Sequence, residues 1–549
     1  MWHKVIGDIK VYRKAFNLRP LHNRYERLKD KAHGTQQRDS TGQYSERVVG
    51  VSDSMAACRH SRLDLQVESW GEARVPRNAA FWSRRRLCNG FYLVLALAGC
   101  AVGPDYQRPQ TKVPSHFGLM ASWLDTSTPH TTWWQTFNDT KLNQLVDQAL
   151  KQNLEITAAL AKVQQAHAIR AMIAGGQWPK ASFSARIMHD RFSTLSEQFA
   201  NIPFPNPRNK FTDYRADLAA SWELDLFGYT ARSIEAATAR AESTTEMAHA
   251  IVLATVADVV RHYLDLCTLQ QRALIAQRII QLATEQLRLV RLQHQAGMIA
   301  QDSVNQAEEN LRLIEAQLPT IQAGIRADLD ALTVLTGTMP HTLDELLRET
   351  RLLKAEGVVG IGLPSELLLR RPDVRRAERE LAAANADVGV AIAAQYPRFT
   401  LIGAIGVDSI YQGQLTNQAA RFWSIGPSLS LPILAGGALA SQVQANQAAY
   451  AATLANYRKI VLQALADTET ALMRYDKERT RLSKLSAIRD LADHSLKLTQ
   501  QRAAVGEAAN LESVQADIHL QQTTDTWLNA HLAHSLALVN LYQVLGGGW

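Results

Sequence analysis

The sequence predicts an α+β membrane protein in which four β-strands, in two hairpins, continue into very long coiled-coil helices, the whole built as an internal two-fold repeat. Three observations carry this. The chain of 549 residues has no proline between Pro207 and Pro319 and none after Pro432, so two Ala/Leu/Gln/Glu/Arg-rich stretches lack the strongest helix breaker. Glycines punctuate both stretches at one spacing, Gly228 to Gly297 and Gly437 to Gly506 (297 − 228 and 506 − 437, both 69). Ahead of each stretch the hydrophobic period switches from helical to two.

At the amino end, Arg84–Arg86 precede an apolar run from about Leu87 to Ala98 and then small residues, the order of a secretory signal. The run is shorter than the roughly 20 residues a membrane-spanning helix needs. Leu97, Ala98, Gly99 and Cys100 resemble a bacterial lipobox, in which cleavage before the cysteine leaves an acylated amino terminus. Ala101 rather than Asp after the cysteine favours the outer membrane. Residues 1–99 are therefore expected to be leader and signal peptide, absent from the mature protein. Their length points to a translation start placed too far upstream; Met55 still leaves a long leader, so the reading extends to a non-ATG start nearer residue 80.

Charge follows the same boundary. Residues 1–99 hold 18 Lys+Arg and 9 Asp+Glu, leaving 41 and 43 (59 − 18 and 52 − 9) for the rest. The net charge of +7 thus resides upstream of Cys100, which removes the case for a nucleic-acid partner. Four cysteines, Cys58, Cys88, Cys100 and Cys267, form no CxxC pair and no zinc spacing; Cys267 reads as a small core residue.

After a lipidated segment, 100–135, the first repeat spans 136–360. In TDYRADLAASWELDLFG, Tyr214, Ala216, Leu218, Ala220 and Trp222 share one face and Arg215, Asp217, Ser221 and Glu223 the other, the alternation of a transmembrane β-strand. ASFSARIMHDRF is its weaker partner, giving a strand hairpin over about 181–224, followed by a helical hairpin over about 229–335. Val252, Val256, Val259, Tyr263 and Leu266 recur at spacings of 4, 3, 4 and 3, the seam of coiled-coil packing. The second repeat, 361–549, supplies a strand hairpin at about 398–432 and a helical hairpin at about 438–545. GMIAQDSVNQA and GEAANLESVQA align at an offset of 209 residues (506 − 297), and Gly297 and Gly506 read as turns between paired helices. Each long helix, at about 1.5 Å per residue, is about 100 Å long. Four strands cannot close a barrel, so the chain is expected to oligomerise. A soluble antiparallel sheet with one wet face remains the alternative on pattern alone.

Taken in order, CAVGPDYQRP, the WW of Trp133 with the following FNDTKLNQL, WELDLFG, LPSELLLRRPDVRRAE, YPRF and the terminal ALVNLYQVLGGGW resemble the outer membrane efflux protein family, the outer-membrane factors of tripartite efflux systems, in its lipoprotein branch. The resemblance covers residues 100–549. It implies a homotrimer with a twelve-stranded barrel and a long periplasmic helical barrel. The implied partners are a periplasmic adaptor (membrane fusion protein), an inner-membrane pump of the resistance-nodulation-division class, and outer-membrane lipid. It further implies that Gly297 and Gly506 lie at the periplasmic tip where the adaptor docks, although helix termination alone accounts for both glycines. Where relatives carry two aspartates that constrict the pore, this chain has Glu512 and Gln515. Only the first is acidic, and it also suits an early-turn acid complementing the helix dipole.

Arg370-Arg371-Pro372-Asp373 is assigned to folding and assembly, as a helix start at the junction of the repeats. His531 and His534 lack a metal-ligand pattern, Gly546–Gly548 do not form a phosphate loop, and no catalytic constellation or cofactor motif is evident. The expected function is a passive exit duct in the outer membrane for small molecules such as drugs or toxic compounds. The competing expectation is a soluble periplasmic coiled-coil adaptor or scaffold lipoprotein without a pore.

Overall fold

The computed structural model describes residues 101–119, 124–125, 127, 131–193, 195, 209–354 and 359–547. The lipobox residues Leu97, Ala98 and Gly99, and Cys100 itself, lie outside the described residues. Two helices dominate, α3 (Tyr229–Gln295) and α7 (Ala438–Ala504), each of 67 residues. Each is followed by a 35-residue helix, α4 (Gln301–Leu335) and α8 (Asn510–Val544). Gly228 and Gly437 precede the long helices, both at φ 82°. Pro319 sits inside α4 on its exposed side, where water can take up the carbonyl that the missing N–H leaves free.

Four further helices lie outside the expected helical hairpins: α1 (Thr140–Gln152), α2 (Leu154–Ala174), α5 (Pro364–Arg370) and α6 (Pro372–Ala393); of these α1 carries a plain helical period, burying Leu142, Leu145, Val146 and Ala149 on one face. Asp139 and Asn153 cap α1 and α2 through their side-chain oxygens, and Pro364 and Pro372 open α5 and α6 at the position where proline costs nothing. The offset between halves is not constant. It is 218 residues for the helix before each hairpin (372 − 154) and 209 for the helix after it (438 − 229). The difference arises where the first hairpin carries the longer loop.

The strands β1 (Lys180–Arg191), β2 (Lys210–Leu224), β3 (Arg398–Ser409) and β4 (Arg421–Ser430) form one antiparallel sheet in the order β1-β2-β3-β4. The two hairpins meet at β2 and β3, where Leu218 faces Ile405. A separate two-residue parallel bridge joins Leu124–Asp125 to Val359–Gly360.

The main core lies midway along the helices. Val256, Val259, Tyr263 and Leu266 of α3 are fully buried there against Trp133, Phe137 and Leu145. Trp133 stacks on Tyr542 of α8 at 5.3 Å between ring centres. A second core near the helix turns joins Leu282, Leu287 and Val290 of α3 to Val304 and Leu311 of α4 and Ile518 of α8. The helix α6 packs on α3 through small apolar residues, Ala382 and Ala383 against Ala239, flanked by ion pairs: Arg379 reaches Glu242 at 2.9 Å, Arg375 reaches Glu246 at 2.5 Å, and Arg240 pairs with Asp387.

Residues 101–118 run as an irregular strap across both halves. Val102 N–H donates to the Phe227 carbonyl at 3.1 Å, Arg232 pairs with Asp105 at 2.7 Å, and the Tyr106 hydroxyl donates to Glu378 at 2.7 Å. Further along, Phe117 is buried in the main core and Gly118 N–H donates to Glu469 at 2.8 Å. Gly103, at φ 94°, passes so close to Gly389 that a Cβ would lie 2.6 Å from its Cα.

Candidate functional site

The sheet has two chemically distinct faces because its register contains no slip. Phe183, Leu218, Ile405 and Trp423 form one row across all four strands, with relative exposures of 72%, 48%, 61% and 75%. Exposed apolar side chains in register make a lipid-compatible wall. The other face carries paired charge. Arg215 bridges Asp217 at 3.0 Å and Asp408 at 3.5 Å, Arg186 reaches Asp213 at 3.5 Å, and the Ser184 hydroxyl donates to Asp217. Among the described residues, the outer edges of β1 and β4 have no partner strand.

The helix turns are built alike. Gly297 (φ 73°) and Gly506 (φ 78°) follow α3 and α7, and the next residues close the turn, Met298 N–H to the Gln293 carbonyl at 3.0 Å and Glu507 N–H to the Arg502 carbonyl at 2.9 Å. Nothing lies within 4 Å of a Cβ at either glycine, so the positive φ alone calls for glycine. Met298 and Val505 are 75% and 72% exposed beside these turns. Glu512 and Gln515 occupy the first two turns of α8, both exposed on one stripe. Their neighbours turn inward, Asp517 to pair with Arg278 at 2.8 Å and Ile518 into the core beside the turns.

The other polar residues singled out in the sequence serve packing. Arg371 is buried and bonds to Asp373 at 2.7 Å, to Asp467 at 3.3 Å, and to the carbonyls of Ala464 and Val544. Burial opposes its charge, but the two aspartates outweigh that and raise its pKa. Burial pushes the Cys267 thiol up to about 12, which leaves it inert. Among the described residues no group of His, Cys, Asp and Glu could hold a metal ion.

Burial, with repulsion from His534 and Lys354, pushes His531 down to about 4; burial and Arg479 also lower His534. His534 stacks on Tyr475 at 4.8 Å. The folded protein thus holds both rings neutral where the unfolded chain takes up protons. Stability is unaffected above pH about 6.5 and is lost as pH falls from there towards about 4. The His531 share is at most on the order of 3 kcal/mol. His531→Phe is expected to shrink the drop in helical melting temperature between pH 7.5 and pH 4.5, read by circular dichroism; an unchanged drop contradicts the assignment.

The family description "Outer membrane efflux protein" matches residues 145–338 and 363–547, and each matched segment contains one strand pair with its 67- and 35-residue helices. The chain belongs to the outer membrane efflux protein family. Nodulation protein T of Rhizobium leguminosarum bv. viciae is 31% identical over 383 residues, 69% of this chain and 76% of that protein. The pyoverdine export outer membrane protein OpmQ of Pseudomonas aeruginosa is 29% identical over 461 residues, 83% of this chain and 95% of that protein. The solved outer-membrane channel OprN superposes with a TM-score of 0.73 at 31% identity, covering 82% of this chain and all of that one.

This efflux protein is thus an outer-membrane channel component with mainly helical content plus some sheet, its helices extending into the periplasm. Its relatives are channels rather than enzymes. Nothing in the comparisons supports the soluble adaptor or scaffold reading. Among the described residues no helix is long and apolar enough to cross a membrane. What the sequence did not reveal was the strap and the alignment of the sheet rows. The first has no periodic signal, and the second depends on register, which only strand pairing sets.

Proposed function

We propose that three copies close into one passive exit duct, a twelve-stranded barrel in the outer membrane continuous with a helical barrel through the periplasm, carrying small molecules such as drugs or toxic compounds. The observation that carries this is the pair of open sheet edges. Lipid does not tolerate unpaired strand edges, and four strands are too few to close a barrel. The helices also leave large apolar side chains uncovered, Leu154, Leu160 and Met172 on α2, and Leu462 and Leu491 on α7. Packing against neighbouring copies gives them partners. The equal lengths of α3 and α7, and of α4 and α8, support an internal duplication.

In this assembly the duct works with an adaptor and an inner-membrane pump of the resistance-nodulation-division class that supplies the driving force. The adaptor docks at the turns of Gly297 and Gly506, beside the exposed Met298 and Val505. The mature chain begins at an acylated Cys100, following the lipobox Leu97, Ala98 and Gly99. The strap supports that anchor, because Ala101 packs against Gly228 directly below β2, at the base of the sheet. Glu512 and Gln515 line the narrowest part of the pore.

Reversal potentials of the purified protein in planar bilayers test the pore. Glu512→Gln removes three negative charges per trimer and is expected to lower the cation-to-anion permeability ratio, and Gln515→Asp to raise it. A protein without conductance, or two variants that leave the ratio unchanged, contradicts the assignment.

A further inference from the structure

The lipid-compatible face of the sheet carries charge of one sign at one end. The polar face mixes four basic residues (Lys180, Arg186, Arg215, Arg398) with five acidic ones (Asp190, Asp213, Asp217, Asp408, Glu223). On the apolar face the only charged residues among the four strands are Arg191, Lys210 and Arg421. Arg191 is the last residue of β1, Lys210 the first of β2 and Arg421 the first of β4. All three are exposed and stand at the strand ends remote from the helices. The opposite end of the same face is apolar, with Leu224, Phe399 and Leu429 in one neighbourhood of the register.

Arg191 and Lys210 are direct register partners. Like charges directly opposite each other weaken a strand pair unless an anion lies between them. Among the described residues no carboxylate forms an ion pair with Arg191, Lys210 or Arg421. The mixed charges of the polar face, by contrast, neutralise one another within the sheet. Charge that faces hydrocarbon is tolerated only near the interface, where the long side chains reach the headgroups.

We propose that Arg191, Lys210 and Arg421 form a phosphate-binding belt on the outside of the barrel, occupied by the phosphorylated glycolipid of the outer leaflet. This rests on the barrel reading above. The helices run into the periplasm, so the strand ends that bear the belt face the cell exterior, where the leaflet is rich in such phosphates. Three basic residues per chain make nine around the assembly, each drawing on the attraction of basic side chains to anionic headgroups. The belt sets the height of the barrel in the membrane and orders its outer rim, whereas the polar face lines the duct.

The test uses the full chain, purified in a neutral detergent, with bisphosphorylated lipid A and its dephosphorylated form as probes and native mass spectrometry as readout. Wild type is expected to retain the bisphosphorylated lipid and not the dephosphorylated one, and to release it as salt rises. The triple variant Arg191→Gln, Lys210→Gln, Arg421→Gln is expected to lose retention by at least about tenfold. Arg186→Gln, on the polar face, is expected to lose none. Equal retention of both lipids by wild type overturns the belt without recourse to any variant, and so does equal loss in Arg186→Gln and the triple variant. An unheated gel of the same wild-type sample separates the two levels of the account. A heat-modifiable oligomer that does not discriminate between the lipids refutes only the belt, whereas absence of that oligomer refutes the barrel beneath it.

Discussion

Leu218→Arg is expected to abolish the detergent-stable oligomer and, in a host that relies on this duct, to restore sensitivity to the exported compounds. Leu218 sits at the centre of the row formed with Phe183, Ile405 and Trp423, on the strand that joins the two hairpins. An arginine on the lipid face of a barrel near the bilayer midplane costs about 2–4 kcal/mol, and the proposed assembly of three chains would carry three copies. No carboxylate is available on that face to offset the charge, because every acidic residue of the strands projects from the other side. The adjacent Ala219→Arg places the same side chain on the polar face, next to Ser182 and Ala404 in the register, and is expected to leave the oligomer in place. Gel mobility before and after heating distinguishes them. Equal behaviour of the two variants contradicts the assignment of faces.

Arg371→Ala is expected to destabilise the helical body by about 3–5 kcal/mol, the range for removing one member of a buried ion pair. The guanidinium bonds to four groups on three helices: Asp373 at the start of α6, Asp467 and the Ala464 carbonyl on α7, and the Val544 carbonyl at the end of α8. Asp373 and Asp467 are partly exposed, which lets water take up some of the lost bonding and favours the lower end of that range. Arg371→Lys keeps the charge but not the planar fork that serves acid and carbonyl together, so it is expected to recover only part of the loss. Thermal loss of helical signal in detergent ranks the three proteins. An Arg371→Ala protein as stable as wild type would contradict the role of this residue as a tie among α6, α7 and α8 of the second repeat.

The long helices were legible because two signals agree on them. Proline is absent over both, and of the five residues that set the coiled-coil spacing the structure buries Val256, Val259, Tyr263 and Leu266 completely and Val252 partly. The strand at Tyr214–Trp222 was equally plain, since one face of it is apolar and the other charged. By contrast, α2 shows no period, and only Ile156 and Ala159 of its residues are buried. The helix α6 is masked by alanines that touch α3 on one side and α7 on the other. Arg371 was placed correctly as structural from Pro372 and Asp373 alone, but its bonds to α7 and α8 span more than 90 residues of sequence. Glu512 and Gln515 are proposed for the pore only through family resemblance; their spacing of three is ordinary in any helix, and nothing in α8 distinguishes them except exposure.

The central claim is that the free edge of β1 in one copy pairs with the free edge of β4 in the next. Cysteine cross-linking in the assembled oligomer tests it most directly, with Cys267→Ser as background. Ser184→Cys on β1 is combined in turn with Phe422→Cys, Ser424→Cys and Gly426→Cys on β4, all on the polar face. Oxidation is expected to yield covalent dimers and trimers for one of these pairs. The control Phe183→Cys with Leu218→Cys, register partners within one chain, should yield only cross-linked monomer. If the control closes fully while every β1–β4 combination remains monomeric, the chains do not join edge to edge and the duct as described does not form.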